Sequence, residues 1–212
     1  FSSANLLAQS KAIPVFVSGN DDYKSFRIPA IVKAKNGELL AFCEGRVNGS
    51  GDFGNIKIVL KRSQDNGKTW SALQIVASND SLQAGNPAPV GELTDPGFPK
   101  GRIFLCYNTG NGHEMEMRKG KGHRDVWYKT SIDDGKTWSQ PTDITLQVNR
   151  INQPEVNPAW NFKEDWRTYA NTPGHALQFD EGKYKGRIYV AANHSSGNPK
   201  PALRDYQAHG YY

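Results

Sequence analysis

Apolar and polar residues alternate along short runs of this chain, so that hydrophobic positions recur with a period of two. That period is typical of β-strands with one buried face, whereas helical solenoids need apolar residues at a period of about 3.6. Helical solenoids are therefore excluded. Strands are predicted in the runs that follow Gly37, Gly101 and Gly186 and over residues 26–34, 56–63, 73–78, 86–93, 125–131, 142–148 and 174–179.

The predicted strands recur in one order along the chain. GELLAFCEGR, GRIFLCYNTGN and GRIYVAANHSSGN each follow an earlier strand and run into a polar loop. In the first two copies a third strand leads into the box S-x-D-x-G-x-T-W, at residues 63–70 and 131–138, and a fourth strand follows. Four short strands in each repeated unit are the sequence signature of a β-propeller, so the predicted fold class is all-β.

The spacing of the repeats predicts how much of a propeller the chain contains. A third box is due at about residues 212–216, and the sequence ends at Tyr212. We therefore expect residues 1–212 to form one incomplete β-propeller domain, truncated before its third box. The alternative is a complete protein of three units, which would leave the last strand as an unpaired apolar edge.

The repeated box is predicted to be a structural turn. An aspartate at its third position can accept hydrogen bonds from nearby backbone N–H groups, and its glycine can adopt the positive φ that other residues adopt poorly. Its tryptophan can bury a large ring. A Ca²⁺ loop is the alternative, but Ca²⁺ needs about six to eight oxygen ligands and the box offers too few. The residues concerned are Asp65 and Asp133, Gly67 and Gly135, and Trp70 and Trp138.

Composition narrows the possible partners. The 26 Lys and Arg exceed the 21 Asp and Glu, giving a net charge of +5 and a pI of about 9.1. This balance favours an anionic partner or a mixed solvated surface, and the lack of a dense Lys/Arg run argues against nucleic acid. No apolar stretch approaches the roughly 20 residues of a membrane span. Cys43 and Cys106 each end an apolar run and are predicted to be buried and unbridged.

Three polar residues of the first repeat point to a specific family. Arg27 lies in S-F-R-I-P-A, Arg46 in C-E-G-R and Asp52 in NGSGDFG, and the first box follows them. This combination resembles the sialidase (exo-α-neuraminidase) family, in which the box is called an Asp box. The resemblance implies a six-bladed propeller, of which this chain covers roughly the first half. It also implies hydrolysis of terminal α-linked sialic acids with retention of configuration, without a cofactor or metal, by a secreted, periplasmic or cell-surface bacterial enzyme.

The resemblance also implies a role for each site residue. Arg27 and Arg46 would be two members of the arginine triad that binds the sialic acid carboxylate, a task suited to the planar guanidinium. Asp52 would be the general acid/base. Asn86 would lie near the sugar 4-hydroxyl and Phe53 on the N-acyl side. The alternative roles are surface ion pairing for the arginines and turn capping for Asp52.

The resemblance places other parts of the machinery in later blades, namely the tyrosine nucleophile, its glutamate and the third arginine. Tyr211 and Tyr212 are predicted to lie in a strand and not to replace that nucleophile. Residues 171–175 (NTPGH) resemble a loop near the family's site, although a turn explains them equally well. His113 and Glu114 lack a second pair at metal-ligand spacing. The expected partners are sialylated glycans. The open alternatives are a non-catalytic sialoglycan-binding propeller and another Asp-box propeller, such as a glycan lyase or a trans-sialidase.

Overall fold

The computed structural model describes residues 12–197 and 206–212, and in them antiparallel strands form repeated units. The first unit contains β1 (Ser25–Lys33), β2 (Leu39–Arg46), β3 (Ile56–Ser63) and β4 (Gln74–Ala77). The second contains β5 (Gln83–Glu92), β6 (Arg102–Gly110), β7 (Arg124–Ser131) and β8 (Thr142–Asp143). The third contains β9 (Trp166–Asn171), β10 (Leu177–Gln178), β11 (Ile188–Ser196) and β12 (Tyr206–Tyr211). Two short helices, α1 (Glu114–Arg118) and α2 (Thr145–Val148), flank β7 and β8.

The first two units share one sheet and one core. Each is an antiparallel meander, and the two join where β3 and β5 run parallel, at Ile56 and Gln83. Leu40 and Phe42 of β2 are fully buried and belong to the same apolar cluster as Leu105 of β6. Both units therefore bury apolar strand faces in one shared cluster, and the first unit has a second, smaller cluster around Tyr23, Cys43 and Val59.

The third unit packs on the second through a smaller apolar cluster that includes Ala88, Cys106 and Val190. In this unit β9 and β10 both pair with β11, and β12 pairs with it as well. Pro173 lies between β9 and β10 and has no N–H to donate to a ladder, which favours an interruption there. The prediction of one opening strand over 174–179 is therefore only partly right, since only Leu177 and Gln178 are paired there. The longer strand β9 was not predicted.

The segment 142–148 also differs from its prediction as a strand. Only Thr142 and Asp143 pair with β7, and α2 follows. Asp143 Oδ1 accepts the Thr145 N–H at 2.8 Å, and the Thr145 hydroxyl accepts the Val126 N–H at 2.9 Å. Side-chain to backbone bonds of this kind compete with a strand ladder and turn the chain into a helical turn.

The repeated box forms a turn in both copies, as predicted. In the first copy the Asp65 carboxylate accepts hydrogen bonds from the Ser63 hydroxyl, the Thr69 hydroxyl and the Thr69 N–H, at 2.7 to 2.9 Å. Ser63 Oγ in turn accepts the Gly67 N–H at 2.8 Å, with Gly67 at φ 84°. The second copy repeats these contacts around Asp133. The aspartate of the box therefore holds a turn.

Three further observations complete the description of the fold. Cys43 and Cys106 are buried and free, as predicted. Neither of the two described sheets closes on itself, so the number of blades and the share of a propeller in this chain stay predictions. In the part of the chain that is described, no helix has the length and apolar character needed to span a membrane.

Candidate active site

Two interrupted strands shape the region that contains the predicted site. The register of β1 shifts between Arg27 and Ala30, and that of β5 shifts between Gly85 and Ala88. In each irregularity the residue before a proline has a positive φ, 57° at Ile28 and 54° at Asn86. A β-branched residue such as Ile28 is strained in that region, and strain of this kind concentrates at functional sites. Both irregularities border one cavity, because Ile28 and Asn86 line it.

Three predicted site residues meet in one cluster. Asp52 lies in the glycine-rich loop between β2 and β3, and its side chain is 68% exposed. Arg27 Nη1 and Arg46 Nη1 each donate a hydrogen bond to Asp52 Oδ1 at 2.8 Å. The structure therefore brings two guanidiniums and one carboxylate together, with Nη1 of both arginines bonded to Asp52.

The surroundings of Asp52 lower the pKa of its carboxyl group. Partial burial acts to raise that pKa, but the hydrogen bond and the positive charge of Arg46 outweigh it, with further lowering from the charges of Arg27 and Arg124. In this arrangement Asp52 is an anion. A general acid needs a pKa near the working pH, and in this arrangement the pKa of Asp52 is shifted away from it.

The two arginines differ in exposure and in partners. The Arg27 side chain is 46% exposed, and Nη1 also donates to the Ser50 carbonyl at 3.2 Å. The Arg46 side chain is only 3% exposed, and its Nε and Nη2 donate to Glu44 Oε2 at 3.0 and 2.5 Å. Arg27 is therefore the open cation of the pair, whereas Arg46 is held from behind by a buried carboxylate.

The other two predicted contact residues, Asn86 and Phe53, line different cavities. Asn86 lines the same cavity as Arg46 and Asp52, and its backbone N–H donates to Glu44 Oε1 at 2.8 Å. Phe53 does not line that cavity. It lines a separate hollow of about 230 Å³ that also reaches Arg46. The contact of Phe53 with an N-acyl group stays a prediction. The position of Phe53 outside the cavity around Asp52 does not favour it.

The main cavity has a volume of about 590 Å³ and contains groups from all three units. Such a volume suits a ligand of monosaccharide size. Its walls also contain polar residues that sequence reasoning did not assign to the site, namely Glu44, Gln83, Glu114, Arg124, Asn193 and Tyr206. Asn171, from the NTPGH segment, lies in the same wall and is fully buried. That segment therefore does border the cavity.

Arg124 is the second buried cation of the cavity. It is 7% exposed, and Nη1 donates to the Tyr169 carbonyl at 3.2 Å. Burial lowers the pKa of its guanidinium, and the nearby carboxylates Glu114 and Glu44 oppose that shift. No carboxylate within the described ranges lies close enough to form an ion pair with Arg124. The sequence signal was weak, because Arg124 starts a strand and resembles any surface arginine there.

Tyr206 and Glu114 form a hydroxyl–carboxylate pair at the cavity. The Tyr206 hydroxyl donates to Glu114 Oε1, and Arg118 Nη1 donates to the same hydroxyl at 3.5 Å. Burial and this carboxylate raise the pKa of Tyr206. Tyr211, in contrast, donates to Asn171 Oδ1 at 3.0 Å and lies in β12, the position predicted for it.

His113 caps the first turn of α1, since its Nδ1 accepts the Met115 N–H at 3.3 Å. Its neighbour Glu114 is bonded to Tyr206 instead. Across residues 12–197 and 206–212 no cluster of three or more His, Cys, Asp or Glu side chains could hold a metal ion.

Comparison with known proteins gives the family. Residues 37–211 match the model of the BNR repeat-like domain. The exo-alpha-sialidase of Aspergillus fumigatus is 30% identical over 203 residues, which cover 86% of this chain and 44% of that protein. The chain belongs to the BNR-repeat family of sialidases. A sialidase of Bacteroides fragilis is 28% identical over 198 residues, which cover 85% of this chain and 33% of that protein.

A solved structure extends the likeness to the fold. The Hadza microbial sialidase Hz136 superposes with a TM-score of 0.65 at 25% sequence identity, over 85% of this chain and 34% of that one. The all-β arrangement of repeated four-stranded units is thus consistent with a propeller-type fold. The chain spans less than half the length of each of these relatives.

Proposed function

We propose that this chain supplies part of the active site of an exo-α-sialidase, which hydrolyses terminal α-linked sialic acids of glycoconjugates with retention of configuration. The observation that carries the proposal is the convergence of Arg27 and Arg46 on one carboxylate, that of Asp52, beside a cavity of about 590 Å³. An exo-acting enzyme for an acidic sugar needs such a paired cation, because the sugar carboxylate adjoins the bond to be cleaved. No cofactor is required.

The geometry supports a role for Asp52 in proton transfer. A substrate carboxylate that accepts hydrogen bonds from Arg27 and Arg46 takes the place of Asp52 Oδ1 on Nη1 of each. Asp52 then loses the contacts that lower the pKa of its carboxyl group. The pKa rises, so Asp52 can hold a proton and donate it to the leaving glycosidic oxygen. The nucleophile in this proposal is a tyrosine outside residues 1–212.

Other residues of the cavity would bind the neutral groups of the sugar. Asn86 offers a side-chain amide that can donate to a hydroxyl such as that at C4. Sialylated glycans are found outside the cytoplasm, so the proposal includes secretion, a periplasmic location or display at the cell surface.

The first test is the variant Asp52→Ala in the intact protein, assayed on a fluorogenic sialoside. Loss of general acid catalysis lowers kcat by about 10²- to 10⁴-fold. Asp21→Asn is the matched control, because Asp21 pairs with Lys61 at 2.9 Å on the surface, away from the cavity. Retention is checked by proton NMR, which should detect the α-anomer of free sialic acid first.

Each other outcome of this test has one meaning. Full activity of Asp52→Ala removes Asp52 from proton transfer. Binding of a sialylated glycan without turnover by the intact protein indicates the non-catalytic alternative. Transfer of sialic acid to an acceptor sugar indicates a trans-sialidase. The absence of both binding and turnover contradicts the whole proposal.

A further inference from the structure

Glu44 is a buried carboxylate that bonds to both strands of the candidate site. It lies on β2 and is 1% exposed. Its Oε2 accepts hydrogen bonds from Nε and Nη2 of Arg46, while its Oε1 accepts the backbone N–H of Asn86 on β5. One side chain therefore joins the first unit to the second at the wall of the cavity.

The backbone of β5 leaves room for this carboxylate. A Cβ atom on Gly85 would lie 2.4 Å from Glu44 Oε1, closer than any side chain allows. The register of β5 shifts at this point, and Asn86 has a φ of 54°. The N–H of Asn86, in this irregular segment, is bonded to the carboxylate instead of a strand carbonyl. Gly85 and Glu44 thus fit each other, and Glu44 sets the conformation at Asn86.

On the other side, Glu44 determines where Arg46 points. With Nε and Nη2 bonded to Glu44, Arg46 Nη1 donates to the carbonyls of Ser50 and Gly51 at 2.6 and 2.9 Å and to Asp52 Oδ1 at 2.8 Å. The loop that contains Asp52 is glycine-rich and exposed, so it has little packing of its own. Its position next to the cavity depends on these three bonds from Arg46, together with those that Arg27 donates to Ser50 and Asp52.

We propose that Glu44 is the positioning residue of the site, which orients Arg46 and, through it, the loop of Asp52, and which also sets the backbone at Asn86. The expected effect of Glu44 on kcat and KM rests on the proposed sialidase function, whereas its expected effect on the orientation of Arg46 does not. A buried ion pair that served only stability would have no reason to bond to two separate site residues and, through Arg46, to a third.

The test compares Glu44→Gln and Glu44→Asp with the matched control Glu38→Gln in the intact protein. Gln keeps the shape but places an amide donor or a neutral oxygen against Arg46, and Asp keeps the charge but is too short to reach both partners. Glu38 is likewise buried and lies 3.8 Å from Arg62, away from the main cavity. We expect Glu44→Gln to lower kcat/KM on a sialoside by about 100-fold, through both kcat and KM.

Glu44→Asp should recover part of that loss, and Glu38→Gln should leave kcat and KM unchanged. All rates are measured at a temperature where each variant is folded, as shown by its thermal unfolding curve. If Glu44→Gln lowers only the melting temperature and leaves kcat and KM unchanged, the residue is merely structural and the inference is overturned.

A second readout is independent of activity. In ¹H–¹⁵N spectra the Nε–H signal of Arg46, assigned by its loss in Arg46→Lys, should exchange slowly in the wild type and broaden in Glu44→Gln. An unchanged Arg46 signal in Glu44→Gln overturns the positioning role, whatever the activity. If the wild type neither binds nor cleaves sialosides but the Arg46 signal broadens as expected, the proposed function fails and the positioning role stands.

Discussion

Asp52 and Asp65 flank β3, and different partners lower the pKa of each. Asp65 lies in the box, where hydrogen bonds from its own turn, chiefly the Thr69 N–H and hydroxyl, lower its pKa to about 2. Asp52 depends on guanidiniums from β1 and β2, which a second anion can engage. In contrast, the hydrogen-bond partners of Asp65 belong to its own turn and stay in place when an anion binds elsewhere. Asp65 is therefore suited to hold a turn, whereas a change of protonation at Asp52 on binding belongs to the proposed function.

Replacement of the box aspartate tests the structural role. Because the pKa of Asp65 is about 2 in the folded state and 3.8 without its partners, its carboxylate stabilises the fold above about pH 4. This stabilisation is lost as the pH falls from about 4 towards 2. We expect Asp65→Asn to lower the melting temperature at pH 7 and to reduce the loss of stability between pH 4 and 2.

The measurement is thermal unfolding across that pH range. Asp180→Asn is the control, since Asp180 is exposed. Equal effects of the two variants at pH 7 would contradict the role of Asp65 in the turn.

At the scale of elements, the two copies of the box have the same internal bonds but different neighbours. Trp70 Nε1 donates to the Gly67 carbonyl, and Trp138 Nε1 donates likewise to that of Gly135. The first turn is partly exposed, whereas the second packs on the first unit, with Trp138 at the edge of Phe42 at a ring distance of 6.0 Å. The second box therefore also packs against the first unit and contributes to the contact between the two units.

This difference predicts unequal effects of one substitution in the two boxes. Both glycines have positive φ, 84° at Gly67 and 79° at Gly135, so alanine costs about 1–2 kcal/mol in backbone strain at either. A Cβ on Gly67 would meet its nearest atom at 3.6 Å, but one on Gly135 would lie 2.6 Å from Leu40 Cδ2. Gly135→Ala should cost about 1–3 kcal/mol more than Gly67→Ala, because it overpacks the core.

Urea unfolding of the two alanine variants measures the difference directly, with each serving as the control for the other. The same loss of unfolding free energy at both positions would show that the second box does not press on Leu40.

At the scale of the whole molecule, the shared core couples the units. Leu40 of the first unit and Leu105 of the second are fully buried in one apolar cluster. Unfolding of either unit would expose the apolar face of the other, at a cost proportional to the area uncovered. We therefore expect the first two units to unfold together.

The variant Leu40→Ala tests this coupling. Removal of a buried leucine side chain costs about 2–5 kcal/mol, because the cavity left behind adds to the lost burial. Hydrogen exchange should show equal loss of protection in β3 of the first unit and β6 of the second. Ile75→Ala on β4 is the control, since Ile75 is 51% exposed. Loss of protection confined to β3 would show that the units unfold separately.

The sequence predicted the site where its signal was local. Arg27, Arg46 and Asp52 were candidates because a short motif and a glycine-rich loop mark them; the structure brings them together, and their roles stay predictions. The sequence also contains a signal for Glu44, which is a charged residue at the end of the apolar run in GELLAFCEGR. A carboxylate in such a run needs a buried partner. The signal for Arg124 was weak, because its hydrogen-bond partner, the Tyr169 carbonyl, lies on a distant strand. The predicted strand over 142–148 is right only for Thr142 and Asp143, because the side-chain bonds of Asp143 and Thr145 compete with pairing beyond them.

The sequence by itself determined the repeated strands, the box turns and the family, because alternation, glycine placement and short motifs act over a few residues. Only the tertiary structure decided that Asp52 is held by both arginines, that Phe53 lies outside the main cavity and that Glu44 joins Arg46 to Asn86. Two of those contacts, Arg27 with Asp52 and Glu44 with Asn86, join residues far apart in the chain. Burial and register across strands, which no local pattern encodes, bring them within hydrogen-bonding distance.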